Sequence, residues 1–102
     1  MNKALTYIGL CKKAGKLSLG TEFTRDAVRQ GRAVITLVAT DASENSKKRL
    51  YDSCSFYNRP KPLEICTAEE LARATGKKGA VAAVGICDEG FAKAITDSIN
   101  KE

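Results

Sequence analysis

A chain of 102 residues is the length of one domain, and residues 1–102 are expected to form a single unit. With 43% hydrophobic and 28% charged residues it has the make-up of a globular domain, not of a disordered tail. No apolar run approaches the ~18–20 residues of a membrane span, and the charged amino-terminal stretch does not read as a signal peptide, so the cytoplasm is the expected compartment. A formal charge of +5 suits a polyanionic partner as well as it suits an ordinary basic protein.

The elements follow in chain order. Residues 3–14 read as a helix, with Ala4, Ile8 and Cys11 on one face, Leu5 beside it, Lys12 and Lys13 in the last turn and Gly15 as the stop. A minor strand is expected near Leu17–Leu19. Residues 21–31 form a second helix, with Thr24, Ala27, Val28 and Gly31 on its inner side and Arg25 and Arg29 pointing away. AVITLVAT, residues 33–40, is a continuous apolar, β-branched run and reads as a buried strand. Ser43 caps a helix to about Tyr57, with Leu50, Cys54 and Tyr57 inward and Lys47, Lys48 and Arg49 outward. Pro60 and Pro62 interrupt the chain before a short strand, LEIC, at residues 63–66. Thr67 and Glu70 have capping-box spacing and open a short helix to about Thr75. Residues 76–79 form a loop, residues 80–86 (AVAAVGI) a second apolar strand, and Asp88 caps a last helix through about Ile99. Such alternation predicts an α/β fold, a three-layer α-β-α sandwich around a small mixed sheet of about four strands.

Motifs for catalysis are missing. Gly15 and Gly20 have the glycine spacing of a phosphate loop, but Thr21 and Glu22 stand where lysine and a hydroxyl are required. GKKG at residues 76–79 follows a helix and not a strand. The sequence contains no histidine, which removes the usual triads and the usual base for a cysteine nucleophile. Cys11, Cys54, Cys66 and Cys87 form no CxxC pair, so a zinc site is not expected, and reduced core cysteines are. No catalytic residue, metal, cofactor or small-molecule substrate is predicted.

KAGKLSLGTEFTRDAVRQGRAVITLVATDAS, residues 13–43, carries Gly15-Lys16, Gly20-Thr21, an amphipathic helix ending at Gly31, and an apolar strand closing on Asp41. Cys54 to Pro60, with Arg59 before the proline, and the segment 68–86 continue the pattern. Nearly the whole chain resembles the L7Ae/L30e superfamily of kink-turn-binding ribosomal proteins, above all its short bacterial members of the YlxQ kind. The resemblance implies an L30e-like fold and binding of structured RNA, ribosomal or kink-turn-like, with ribosomal or ribonucleoprotein proteins as further partners. In that family the start of the second helix and the loop before the last strand grip a kinked duplex. Carried over, the RNA-binding residues are Lys16, Gly20, Thr21, Glu22, Phe23, Arg25, Asp26, Lys77, Lys78, Gly79, Ala80 and Val81.

The physics is compatible with this. A helix start offers unpaired N–H groups and about half a positive charge, and Gly20 allows close approach. Lys16 could pair with a phosphate, Lys77 and Lys78 add charge, and Ala80 with Val81 would seat an extruded nucleotide. The chain departs from the family pattern at Leu19, Glu22, Phe23 and Asp26. Glu22 and Asp26 lie one turn apart, so two carboxylates share the stripe that would face RNA, which predicts weakened or altered binding. Phe23 could stack on a base, although packing at the edge of the core is the preferred reading. The alternative function is a protein-interaction module on the same fold, with the acidic stripe docking a basic partner.

Overall fold

The computed structural model describes residues 3–101. The elements are α1 (Lys3–Lys13), β1 (Leu17–Leu19), α2 (Thr21–Arg29), β2 (Ile35–Val38), α3 (Glu44–Phe56), β3 (Leu63–Glu64), α4 (Ala68–Ala74), β4 (Ala83–Ile86) and α5 (Glu89–Lys101). The four strands lie in the order β1-β4-β2-β3. β4 is antiparallel to both β1 and β2, whereas β3 runs parallel to β2. Helices α1, α4 and α5 cover one face, and α2 and α3 the other, giving the expected three layers. Among the described residues no helix is long and apolar enough to cross a membrane.

Register explains how the two faces differ. Ser18, Gly85 and Thr36 are aligned across three strands, as are Leu19, Val84 and Leu37. Because side chains alternate along a strand, these rows project to opposite faces. The row of Leu37, Val84 and Ile86 joins Ile8, Cys11, Leu71 and Ile95 in the larger core beneath α1, α4 and α5. The other row is made of small side chains, which lets α2 settle closely on the sheet. A side-chain carbon at Gly85 would meet Thr24 Cγ2 at 3.4 Å and the Cβ atoms of Ala33 and Ser18 at 3.6 Å. Thr24 donates its hydroxyl to the Ser18 carbonyl at 3.4 Å, and Ala27, Val28, Ala33 and Cys54 fill the space between α2 and α3.

The caps act as their residue types predict. Ser43 Oγ accepts from the Ser46 N–H, Thr67 and Glu70 form a full capping box, and Asp88 accepts from the Phe91 N–H at 2.9 Å. The structure corrects several details. β4 starts at Ala83 and not at residue 80, because the Val81 N–H turns to the Ala68 carbonyl instead of a strand neighbour. Tyr57 is the C-cap of α3 and is 39% exposed, so it is not on the inner side. α2 stops at Arg29, and Gly31 is an exposed turn residue. Lys47 does not point outward: its ammonium donates to the Thr40 carbonyl at 2.8 Å and meets Glu64 at 3.1 Å, tying the end of β2 to β3.

All four cysteines are free thiols, with Cys11, Cys54 and Cys66 buried. Burial, followed by the charges of Asp88 and Cys87, raises Cys11 from 9.0 to about 11. Burial, then Glu70 and Asp41, does the same to Cys66, while burial raises Cys54 against the opposing effect of its hydrogen bond with Thr36. A thiol whose pKa is raised on folding contributes stability that is complete below about pH 9 and is lost as pH climbs through about 11. Denaturant midpoints are therefore expected to hold up to about pH 9 and then fall, each of these two thiols accounting for at most about 2–3 kcal/mol. The decline should be smaller in Cys66→Ala, and an unchanged pH profile in that variant would count against this assignment.

Candidate nucleic-acid interface

At one end of the sheet, β1 and β2 finish, β4 begins, and three helices start. The starts of α3 and α4 are closed by side chains. Ser43 caps α3, while Thr67 Oγ1 takes the Glu70 N–H and Asp41 Oδ1 takes the Ala68 N–H at 2.7 Å. Asp41, which closes the apolar strand of the family pattern, thus holds the entry of α4. α2 differs. Its N-cap is Gly20, at φ 94° and ψ 162°, and no side chain caps it. The left-handed φ is open to glycine and strained for other residues. Among the described residues, no hydrogen bond engages the N–H groups of Thr21, Glu22 and Phe23, so the first turn presents three donors and the positive end of the helix dipole.

The chain enters β4 beside this start. The Gly20 N–H donates to the Ala83 carbonyl at 2.9 Å and the Ala39 N–H to the Ala82 carbonyl at 2.7 Å, which fixes residues 80–82 between the ends of β1 and β2. Lys77, Lys78, Gly79 and Ala80 are exposed. Val81 is not: it is 7% exposed and packs into the larger core, so the apolar surface the loop offers comes from Ala80 and half-buried Ala82. Lys16 is not brought here. It precedes β1 at the opposite end, where its carbonyl accepts from Cys87 N–H, and the three residues of β1 separate it from Gly20 by about 13 Å.

The outer side of α2 also differs from expectation. Phe23 is 69% exposed and takes no part in the core. Its ring stands free next to the uncapped first turn. Glu22 and Asp26 do share a face, but neither is bare. Glu22 pairs with Arg25 at 3.5 Å and, across the helix interface, with Arg49 of α3 at 2.5 Å. Asp26 pairs with Arg29 at 3.1 Å. Arg25, expected to point away, instead lies along the contact between the helices and reaches Ser53 Oγ at 3.4 Å. The stripe therefore alternates in sign and is not acidic. Linear spacing within α2 placed the two carboxylates correctly, but Arg49, 27 positions after Glu22, comes from another helix.

A separate groove of about 810 Å³ runs between α1 and α4, bordered by Leu5, Gly9, Leu10, Lys12, Lys13 and Arg73. Its acidic lining residue, Glu70, is committed to Thr67, and Arg73 pairs with Glu69 at 3.2 Å. No buried side-chain nitrogen or oxygen lacks a hydrogen-bond partner among the described residues.

Comparison with known proteins agrees with this architecture. Residues 2–96 match the model of the "Ribosomal protein L7Ae/L30e/S12e/Gadd45 family". The chain is 44% identical over 91 residues to "RNA-binding protein YlxQ" of Enterococcus faecium, covering 89% of this chain and 85% of the relative. It is 35% identical over 86 residues to the protein of the same name from Bacillus subtilis (strain 168), covering 83% of each. Among solved structures, a protein of unknown function from Bacillus halodurans superposes with a TM-score of 0.89 at 30% identity, covering 98% of this chain and 99% of the other. The Giardia lamblia 15.5kD RNA binding protein shares the fold, with a TM-score of 0.79 at 17% identity over 95% of this chain and 82% of the other. With a family model spanning almost its entire length and relatives at 44% and 35% identity, the chain belongs to the family described as Ribosomal protein L7Ae/L30e/S12e/Gadd45.

Proposed function

We propose that this chain is a non-catalytic RNA-binding protein that takes structured, kink-turn-like RNA at the start of α2 and the loop 76–81, and that it works in the cytoplasm on the ribosome or in ribonucleoprotein assembly. One observation carries the reading: of the three helix starts gathered at that end of the sheet, only that of α2 has no side chain occupying its donors, and its Gly20 is bonded to Ala83, where the chain enters β4 after an exposed Lys-Lys-Gly loop. The names of the Enterococcus and Bacillus relatives point the same way.

In this reading the N–H groups of Thr21 to Phe23 meet phosphate or base acceptors, while Gly20 and Gly79 keep the backbone accessible. Lys77 and Lys78 contact the backbone of the RNA, Phe23 stacks on a base, and Ala80 lies under it, supported by Val81 from below. Arg25 and Arg49 hold the Glu22 carboxylate in place, where it can accept from guanine N–H groups. Together with Arg29 on Asp26, they offset the repulsion that the two carboxylates would otherwise exert on phosphate. Lys16 makes at most a distant phosphate contact. The alternating charge on α2 removes the acidic stripe on which docking of a basic protein would depend.

Titration of the full chain with a kink-turn duplex tests this. Binding is expected at micromolar protein or below, weakening with salt by about 0.9 log unit per log unit of salt for each phosphate neutralised. No binding at low salt, or a flat salt response, would overturn the reading.

A further inference from the structure

At the opposite end of the same helical layer lies a surface that the proposed RNA site does not use. α2 and α3 are packed side by side, with Glu22 against Arg49, Arg25 against Ser53 and the Gly31 turn against Arg59. Where they finish, Phe56 is 80% exposed and Tyr57 39% exposed, and their rings meet edge to face with centroids 4.8 Å apart. An edge-to-face pair leaves the faces of both rings partly open while each ring limits the other's motion.

Cations follow this pair along the chain. Arg59 donates to the Gly31 carbonyl at 2.9 Å, which places it beside Arg32, and the exposed Arg32 is held by Gln30 at 2.7 Å. Lys61 follows two residues later and is exposed. Neither residues 57–63 nor residues 30–34 include an acid. The acids closest in sequence to the ends of α3 and α2 are already matched, Asp52 by Lys48 at 3.3 Å and Asp26 by Arg29 at 3.1 Å. Two helix carboxyl ends account for part of this basic character, since Arg59 serves as a cap. They do not account for the two exposed aromatic rings at the end of α3.

Exposed rings beside guanidinium and ammonium groups form the combination that holds unpaired nucleotides, with stacking on the rings and phosphates drawn to the cations. We infer that Phe56 and Tyr57, flanked by Arg32, Arg59 and Lys61, form a second RNA contact that takes single-stranded nucleotides, separate from the start of α2. The nine residues of α2 span about 13.5 Å, so one RNA could reach both sites over roughly four duplex steps.

The test uses a short single-stranded oligouridylate and, separately, a blunt kink-turn duplex. Wild-type protein is expected to bind the oligouridylate. Phe56→Ala should lower that affinity about five- to hundredfold, the loss of one stacked base. Arg32→Glu should weaken it and reduce its salt dependence by about one ion. Binding of the blunt duplex should be unaffected by Phe56→Ala. Oligouridylate binding that is absent, or equal in wild type and Phe56→Ala, overturns the inference. Self-association that depends on Phe56 without oligouridylate binding also overturns it and makes the aromatic pair a protein contact. Loss of duplex binding alone, with the oligouridylate still bound, counts only against the site at the start of α2.

Discussion

Gly85→Val is expected to cost about 1–3 kcal/mol of stability and to weaken RNA binding in the same variant. Gly85 lies in the middle of β4, where a β-branched residue would ordinarily favour the strand, by at most about 1 kcal/mol. Packing overrides that preference. The first added carbon would already touch Thr24 Cγ2 at 3.4 Å, Ala33 and Ser18. Valine places two further methyl groups into the same closed space, and interiors packed to crystal density have no room to absorb them. Alanine should be tolerated much better, because its single carbon remains at the limit of ordinary contact. The binding effect follows from which element has to move. Thr24 belongs to α2, so relief of the clash displaces the helix whose first turn carries the free donors. Urea midpoints for Gly85→Ala and Gly85→Val check the first part, and a stability loss under about 0.5 kcal/mol for valine would refute it. Duplex titration of the folded fraction checks the second.

Phe23→Ala should behave in the opposite way. At 69% exposure the ring supports nothing in the core, and a surface change of this kind alters stability by no more than about 0.5 kcal/mol. Affinity for structured RNA is expected to fall about five- to hundredfold, while Phe23→Tyr retains most of it, because stacking requires an aromatic face and not a particular side chain. Equal affinity in wild type and Phe23→Ala would show that the ring lies outside the RNA contact and would leave the free N–H groups as the only feature of the first turn.

Much of the scaffold was legible because it rests on local rules. Ser43, the Thr67–Glu70 box and Asp88 mark helix starts by chemistry that acts within four residues, and the two apolar runs mark β2 and β4 by composition. Family resemblance supplied the superfamily and with it the α2 start. What the sequence did not reveal depends on partners distant along the chain. The Val81 N–H bonds to Ala68 rather than to a strand neighbour, so the apolar run at residues 80–86 overstated β4. Arg49 reaches Glu22 across a helix interface, so a helix read by itself looked acidic. Lys16 precedes β1 and Gly20 follows it, and three strand residues were enough to put them at opposite ends of the sheet. Phe23 was expected at the core edge, but Thr24, Ala27 and Val28 form the buried side of α2 and Phe23 is left 69% exposed.

The hydrogen bond from Gly20 to Ala83 also has a consequence for how the molecule is made. It joins the first fifth of the chain to its last fifth, and the β1–β4 register that carries it pairs residues more than sixty positions apart. On a chain emerging from its own ribosome, α1, β1 and α2 must wait without strand partners until β4 has been synthesised. During that interval the loop 76–81 has not yet been made, and the proposed RNA surface is incomplete. Binding competence should therefore arrive late and together with the closing of the sheet, so that a nascent or truncated chain has no half-assembled site with which to capture RNA.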